Sequence, residues 1–258
     1  MSRLPRGVAA LAALAGLFLL LPLVGLLVKA PWSGLGDALG RPAVTDALRL
    51  SLVCSVTATA LAAVLGLPLA YALARASFPG RRLVRALALV PLVLPPVVGG
   101  VALLLAFGRR GLAGQWLDSA LGVRLPFTTA GAVLAETFVA LPFLVLTAES
   151  AFRSTDRQPE DAARTLGARP WTVLRRVTLP AVAPALGAGL ALAWARALGE
   201  FGATVTFAGS YPGRTQTLPL AVYEALETDR DAAIALSLVL LAVSVATLAA
   251  LRERWLRW

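Results

Sequence analysis

The chain has 258 residues, 58% of them hydrophobic and 15% charged, with a mean hydropathy of +0.77. So little charge cannot cover a soluble domain, which places the chain in a bilayer, and the net charge of +10 reads as arginines at an anionic membrane surface rather than as a nucleic-acid footprint. With no His, a single Cys (Cys54), a single Lys (Lys29) and no GxxxxGK[ST] run, the composition excludes His-ligated haem and zinc, Ser-His-Asp catalysis, internal disulfides and P-loop ATP hydrolysis.

Six apolar runs follow in chain order, at about 8–28, 50–74, 86–107, 129–148, 181–207 and 231–251. Each is long enough to cross roughly 30 Å of hydrocarbon at about 1.5 Å per residue. The first follows Arg3 and Arg6, is long for a signal-peptide core and has no clear A-x-A site after it; it reads as an uncleaved span. Fifteen basic residues lie in one set of loops: Arg3, Arg6, Arg75, Arg81, Arg82, Arg85, Arg153, Arg157, Arg164, Arg169, Arg175, Arg176, Arg252, Arg254 and Arg257. The opposite set holds eight, Lys29, Arg41, Arg49, Arg109, Arg110, Arg124, Arg214 and Arg230. The richer side is cytoplasmic, so both termini of this cytoplasmic-membrane protein are expected on the cytoplasmic side, in keeping with an even number of spans. The expected organisation is one all-α transmembrane domain over 1–258, with core spans at about 45–251.

Within the third run, Pro95 and Pro96 free backbone groups that survive in lipid only where protein or a cavity satisfies them again. Gly99 and Gly100 then allow a close approach. A kinked helix with no functional role is the plain alternative. Pro142 is a further possible kink in the fourth run, and Glu136 has no assigned role.

The loop at 153–180 is polar, basic and helix-forming. Pro159 suits a first helical turn, Glu160 and Asp161 favour its positive end, and Ala162, Ala163 and Leu166 make a small apolar stripe that Gly167 ends. A second amphipathic helix is expected from about Pro170 to Pro180. Docking to a cytoplasmic partner and lying on lipid both fit; the two acids fit lipid poorly, whereas Trp171, Arg175 and Arg176 fit it well.

In the fifth run Arg196 and Glu200 are four apart and are expected to pair on one helix face. Intramembrane charges mark pathways or subunit seams, and pairing lowers the cost of holding each charge in the membrane. Thr204 and Thr206 offer uncharged hydroxyls suited to weak, passing contacts or bond back to their own helix. The outward segment Gly209 to Arg230 opens with turn formers and continues as the helical "LPLAVYEALE".

Asp161-Ala162-Ala163, three residues, Gly167, nine residues and Val177-Thr178-Leu179-Pro180 together resemble the EAA loop of ABC importer permeases, E-A-A-x3-G-x9-I-x-L-P, with Asp for Glu and Val for Ile. Glu160 stands ready to share the acidic role. "GEFGAT" (Gly199 to Thr204) followed by Pro212-Gly213-Arg214-Thr215-Gln216-Thr217-Leu218-Pro219 is similar to the molybdate/tungstate permeases, as are "PLVLPPVVGG" and "ALPFLV"; sulfate permeases carry a looser version. The resemblance implies a type I permease fold of six spans, working as a homodimer by alternating access, with a pore among spans three to five. It implies a coupling helix seated on a cytoplasmic ATPase dimer, with Glu160, Asp161, Ala162, Ala163, Leu166, Gly167, Leu179 and Pro180 in the joint. ATP and magnesium would sit on the ATPase, this chain would bind no cofactor, and an extracytoplasmic oxyanion-binding protein would deliver the ion. Sulfate or thiosulfate is the alternative cargo. A proton-coupled secondary transporter would call for more intramembrane carboxylates.

Overall fold

The computed structural model describes residues 5–255, with backbone only at 38, 248 and 250–255. Arg3 and Arg257, and the side chains of Arg252 and Arg254, lie outside what is described. All described elements are helical: α1 (Arg6–Val28), α2 (Leu35–Leu39), α3 (Pro42–Arg75), α4 (Arg81–Val93), α5 (Pro96–Phe107), α6 (Gly114–Leu121), α7 (Thr129–Ser154), α8 (Gln158–Thr165), α9 (Pro170–Leu198), α10 (Gly202–Ala208), α11 (Leu218–Thr228) and α12 (Arg230–Trp255). Five of them, α1, α3, α7, α9 and α12, are long and apolar enough to cross a membrane.

The bundle is organised on α7. Of its apolar window 61% is buried, against none of α1, so α7 is the central post and α1 leaves its apolar surface exposed, meeting the bundle chiefly along α12. Small residues explain how α3 comes so near. Cys54, Ala58, Ala62, Gly66, Ala70 and Ala74 recur at every fourth position and are all buried, the spacing that lets helix backbones approach in lipid. They meet Ala132, Ala140, Leu144, Ala148 and Phe152 of α7, and α9 closes the group with Val182, Leu186, Ala193 and Ala197. A second cluster joins α5, α7 and α10 through Leu103, Ala135, Val139, Ala203 and Phe207.

Two predicted spans are broken. The run at 86–107 is α4 and α5, parted at Leu94 and Pro95. Leu94 precedes a proline and takes the extended conformation (φ −68°, ψ 131°), as steric clash with the ring demands, and Pro96 restarts the helix at its first turn. The run at 181–207 stops at Leu198 and resumes at Gly202. In the other direction, the second loop helix is not separate: Pro170–Leu198 is continuous. Pro180 has no N–H to give to the preceding turn. The chain absorbs this as a π-helical turn at Leu174–Thr178, in which the Leu179 N–H donates to the Leu174 carbonyl five residues back.

Candidate functional site

Helix α8 stands out from the bundle. Pro159 lies in its first turn beside Glu160 and Asp161. Its end is closed by the Gly167 and Ala168 N–H groups, which donate to the carbonyls of Arg164 and Ala163 at 2.9 and 3.0 Å. Gly167 has φ +85°, the left-handed conformation that other residues rarely take. Leu166 is 88% exposed and Trp171 68%. Asp161 and Ala162 are exposed, Ala163 and Leu179 half-buried, Pro180 exposed. Among the described residues the Asp161 side chain is paired with Arg164, at 2.6 Å.

Glu160 does the opposite. It is 2% exposed, and its Oε1 accepts from Arg75 Nη2 at 2.8 Å and from Thr178 Oγ1 at 3.0 Å, while Oε2 accepts from Arg164 Nη2 at 3.2 Å. The acid at the motif position therefore faces out and its neighbour faces in. Arg75 and Thr178 escape a sequence reading because they lie 85 and 18 residues from Glu160. A second carboxylate knot was also hidden: Glu149 of α7 receives Arg85 of α4 through two nitrogens and Arg153 of its own helix. Only the i,i+4 spacing of Glu149 and Arg153 was there to be read.

In the membrane, Arg196 Nη2 lies 2.7 Å from Glu200 Oε2, so the predicted pair forms. It does not lie on one helix face, because α9 ends at Leu198 and Glu200 sits in the break. The reason is local: Glu200 Oε1 accepts the Ala203 N–H at 2.8 Å and so caps the first turn of α10. The close approach of α5 to α10 depends on Gly100, where an added Cβ would come within 2.5 Å of Thr206 Cβ and 2.9 Å of the Ala203 carbonyl. Thr206 bonds back to the Gly202 carbonyl at 2.8 Å, whereas the fully buried Thr204 hydroxyl has no partner among the described residues. Pro96 and Arg196 share a cavity of about 100 Å³ with Pro91, Leu94 and Phe138, and Pro95 is exposed at the break. Glu136 is 1% exposed, and its Oε2 also lacks a partner.

The Pro212–Pro219 motif is a tied loop. Thr215 Oγ1 accepts from the Tyr211 N–H at 2.9 Å and donates to the Gly209 carbonyl at 3.2 Å, and the Leu218 N–H donates to Ser51 of α3 at 2.6 Å. On the same side Asp118 is bound by Arg124 at 2.9 Å and Arg109 at 3.4 Å; the hydrogen bond from Arg124 is the main reason its carboxyl lies below the usual range.

The helical bundle carries one ordered, exposed loop, and the model of the binding-protein-dependent transport system inner membrane component family matches residues 62–258. The chain belongs to this family, as an ABC importer permease: a multi-pass transport subunit and not an enzyme. More particularly, it is 50% identical over 242 residues to the molybdenum transport system permease protein ModB of Mycobacterium tuberculosis, covering 93% of this chain and 91% of that one. The sulfate transport system permease protein CysT of Escherichia coli is 36% identical, over 89% of this chain and 84% of its own. Among solved structures, a bacterial ABC transporter that imports the acidic polysaccharide alginate matches 96% of this chain and 93% of its own with a TM-score of 0.74 at 17% identity, a likeness of fold.

Proposed function

We propose that this chain is the membrane subunit of an ATP-driven importer of molybdate or tungstate. Two copies form the path, with both termini in the cytoplasm. The observation that carries the cargo is the 50% identity to a molybdenum permease along nearly the whole chain, against 36% to a sulfate permease. A cytoplasmic ABC ATPase pair, holding ATP and magnesium, grips one α8 from each copy; an extracytoplasmic oxyanion-binding protein loads the outer face. This chain binds no cofactor and no nucleic acid.

The mechanism is alternating access, and the exposed Asp161, Ala162, Leu166 and Trp171 support the docking half of it. A helix that shows an apolar Leu166 beside a charged Asp161–Arg164 pair suits a protein groove better than lipid. Because α9 runs without interruption from Pro170 to Leu198, tilting of α8 about Gly167 reaches the Arg196–Glu200 break directly. There the guanidinium balances the carboxylate, so a dianion passing the broken helices meets no net negative charge.

Molybdenum and tungsten accumulation in cells with and without the chain, at trace oxyanion and excess sulfate, tests this reading. Uptake that is lost on deletion and indifferent to sulfate supports it. Uptake erased by sulfate moves the cargo to the sulfate class, which the CysT relationship makes the second reading.

A further inference from the structure

We infer that Glu160, rather than Asp161 at the motif position, is the positioning residue that fastens the coupling helix to the moving spans. The inference rests on the proposed docking of α8 to an ATPase. Its basis is one buried carboxylate shared by three elements. Arg75 is the last residue of α3, Thr178 the last of the π-helical turn in α9, and Glu160 lies in the first turn of α8. Relative exposure is 9% for the Arg75 side chain, 2% for Glu160 and 1% for Thr178, so water does not compete for these bonds.

The rest of α8 has little hold on the bundle. Among the described residues its other polar contacts are local: Arg164 with Asp161 and Glu160, Thr165 with the Asp161 carbonyl, the Gln158 N–H with Asp156, and the Asp161 N–H with the Arg157 carbonyl. Glu160 is its one buried residue. A push delivered to the exposed face of α8 therefore reaches α3 and the π-helical turn through this carboxylate. Arg75 reinforces the point, because its Nε and Nη1 are buried with no partner among the described residues. Glu160 is the acceptor on which that guanidinium depends. Asp161, 66% exposed at its side chain, is placed to meet a partner but not to transmit force inward.

The test uses the full chain with its ATPase, reading both ATPase copurification and uptake per ATP hydrolysed. Glu160→Gln keeps the shape and removes the charge. The ATPase is expected to copurify at the unaltered level while uptake per ATP falls about tenfold, the loss of one charge-assisted bond. Thr178→Val is expected to lower the same ratio by less. The double variant is expected to match Glu160→Gln alone, because both changes cut one link. Arg75→Lys, which keeps the charge, is expected to recover part of what Arg75→Gln loses. A general weakening of the fold would lower protein yield and leave the ratio alone.

An unchanged ratio in Glu160→Gln overturns the inference. So does loss of the copurified ATPase, which would make Glu160 a contact residue. If Glu160→Gln does not assemble, Thr178→Val decides: a lowered ratio supports the inference and an unchanged ratio ends it. Failure of the unaltered chain to capture any ATPase defeats the coupling-helix reading itself, and this inference with it.

Discussion

Gly167 isolates the conformational part of coupling from the steric part. It holds φ +85° at the end of α8, and an added Cβ there meets nothing within 4 Å. Replacement by Ala thus brings no clash within the chain, only the cost of holding an L-residue in the left-handed region, roughly 1–2 kcal/mol. That is about a tenfold change in how often the elbow adopts the shape seen here. Asn is larger than Ala but tolerates this conformation, and Val tolerates it least. The expected order of uptake per ATP hydrolysed is therefore Gly, then Asn, then Ala, then Val, with protein yield from membranes unaltered across the series. The assay is ATP-driven oxyanion uptake with the ATPase rate measured in parallel. An order that follows side-chain size, with Ala above Asn, would show that the elbow is limited by space against a partner and would refute the conformational argument.

Further outcomes follow from the membrane core and the outer rim. Gly100→Ala drives a methyl into Thr206 and the Ala203 carbonyl and should destabilise the α5–α10 contact by about 1–3 kcal/mol, read as a lower Tm in detergent. Arg196→Ala leaves the buried Glu200 without its counter-charge and should cost about 3–5 kcal/mol; adding Glu200→Gln should recover part of the loss in Tm, and failure to recover any would contradict the pairing. Asp229 has its carboxyl lowered by the Ala232 N–H at the start of α12 and by Arg41. Its contribution is complete above the ordinary carboxylate pKa and disappears as pH falls through the depressed value. Stability below the ordinary carboxylate range should therefore be less pH-dependent in Asp229→Asn than in the unaltered chain.

Much of this was legible because hydropathy and spacing are local signals. The six runs, the ordered loop and the Arg196–Glu200 pair all follow from residues close in sequence. The breaks were harder. Pro22, Pro68, Pro91, Pro142 and Pro184 all lie inside helices, while Pro95 marks a break, so a proline alone does not say whether a span survives. What decides is whether neighbours satisfy the freed backbone groups. At Pro180 a π-helical turn does so without ending the helix; at Glu200 the side chain itself caps the restarted one. The inward turn of Glu160 depends on Arg75, remote in sequence, and no pattern in the loop announces it. Glu136 is buried with an oxygen that has no partner among the described residues.

The most direct measurement is molybdate uptake into proteoliposomes holding this chain, its ATPase and the oxyanion-binding protein. The account predicts uptake that requires ATP, stops when α8 is prevented from docking by a bulky residue at Ala163, and persists in excess sulfate. Uptake that proceeds without ATP, or with the ATPase omitted, would contradict it.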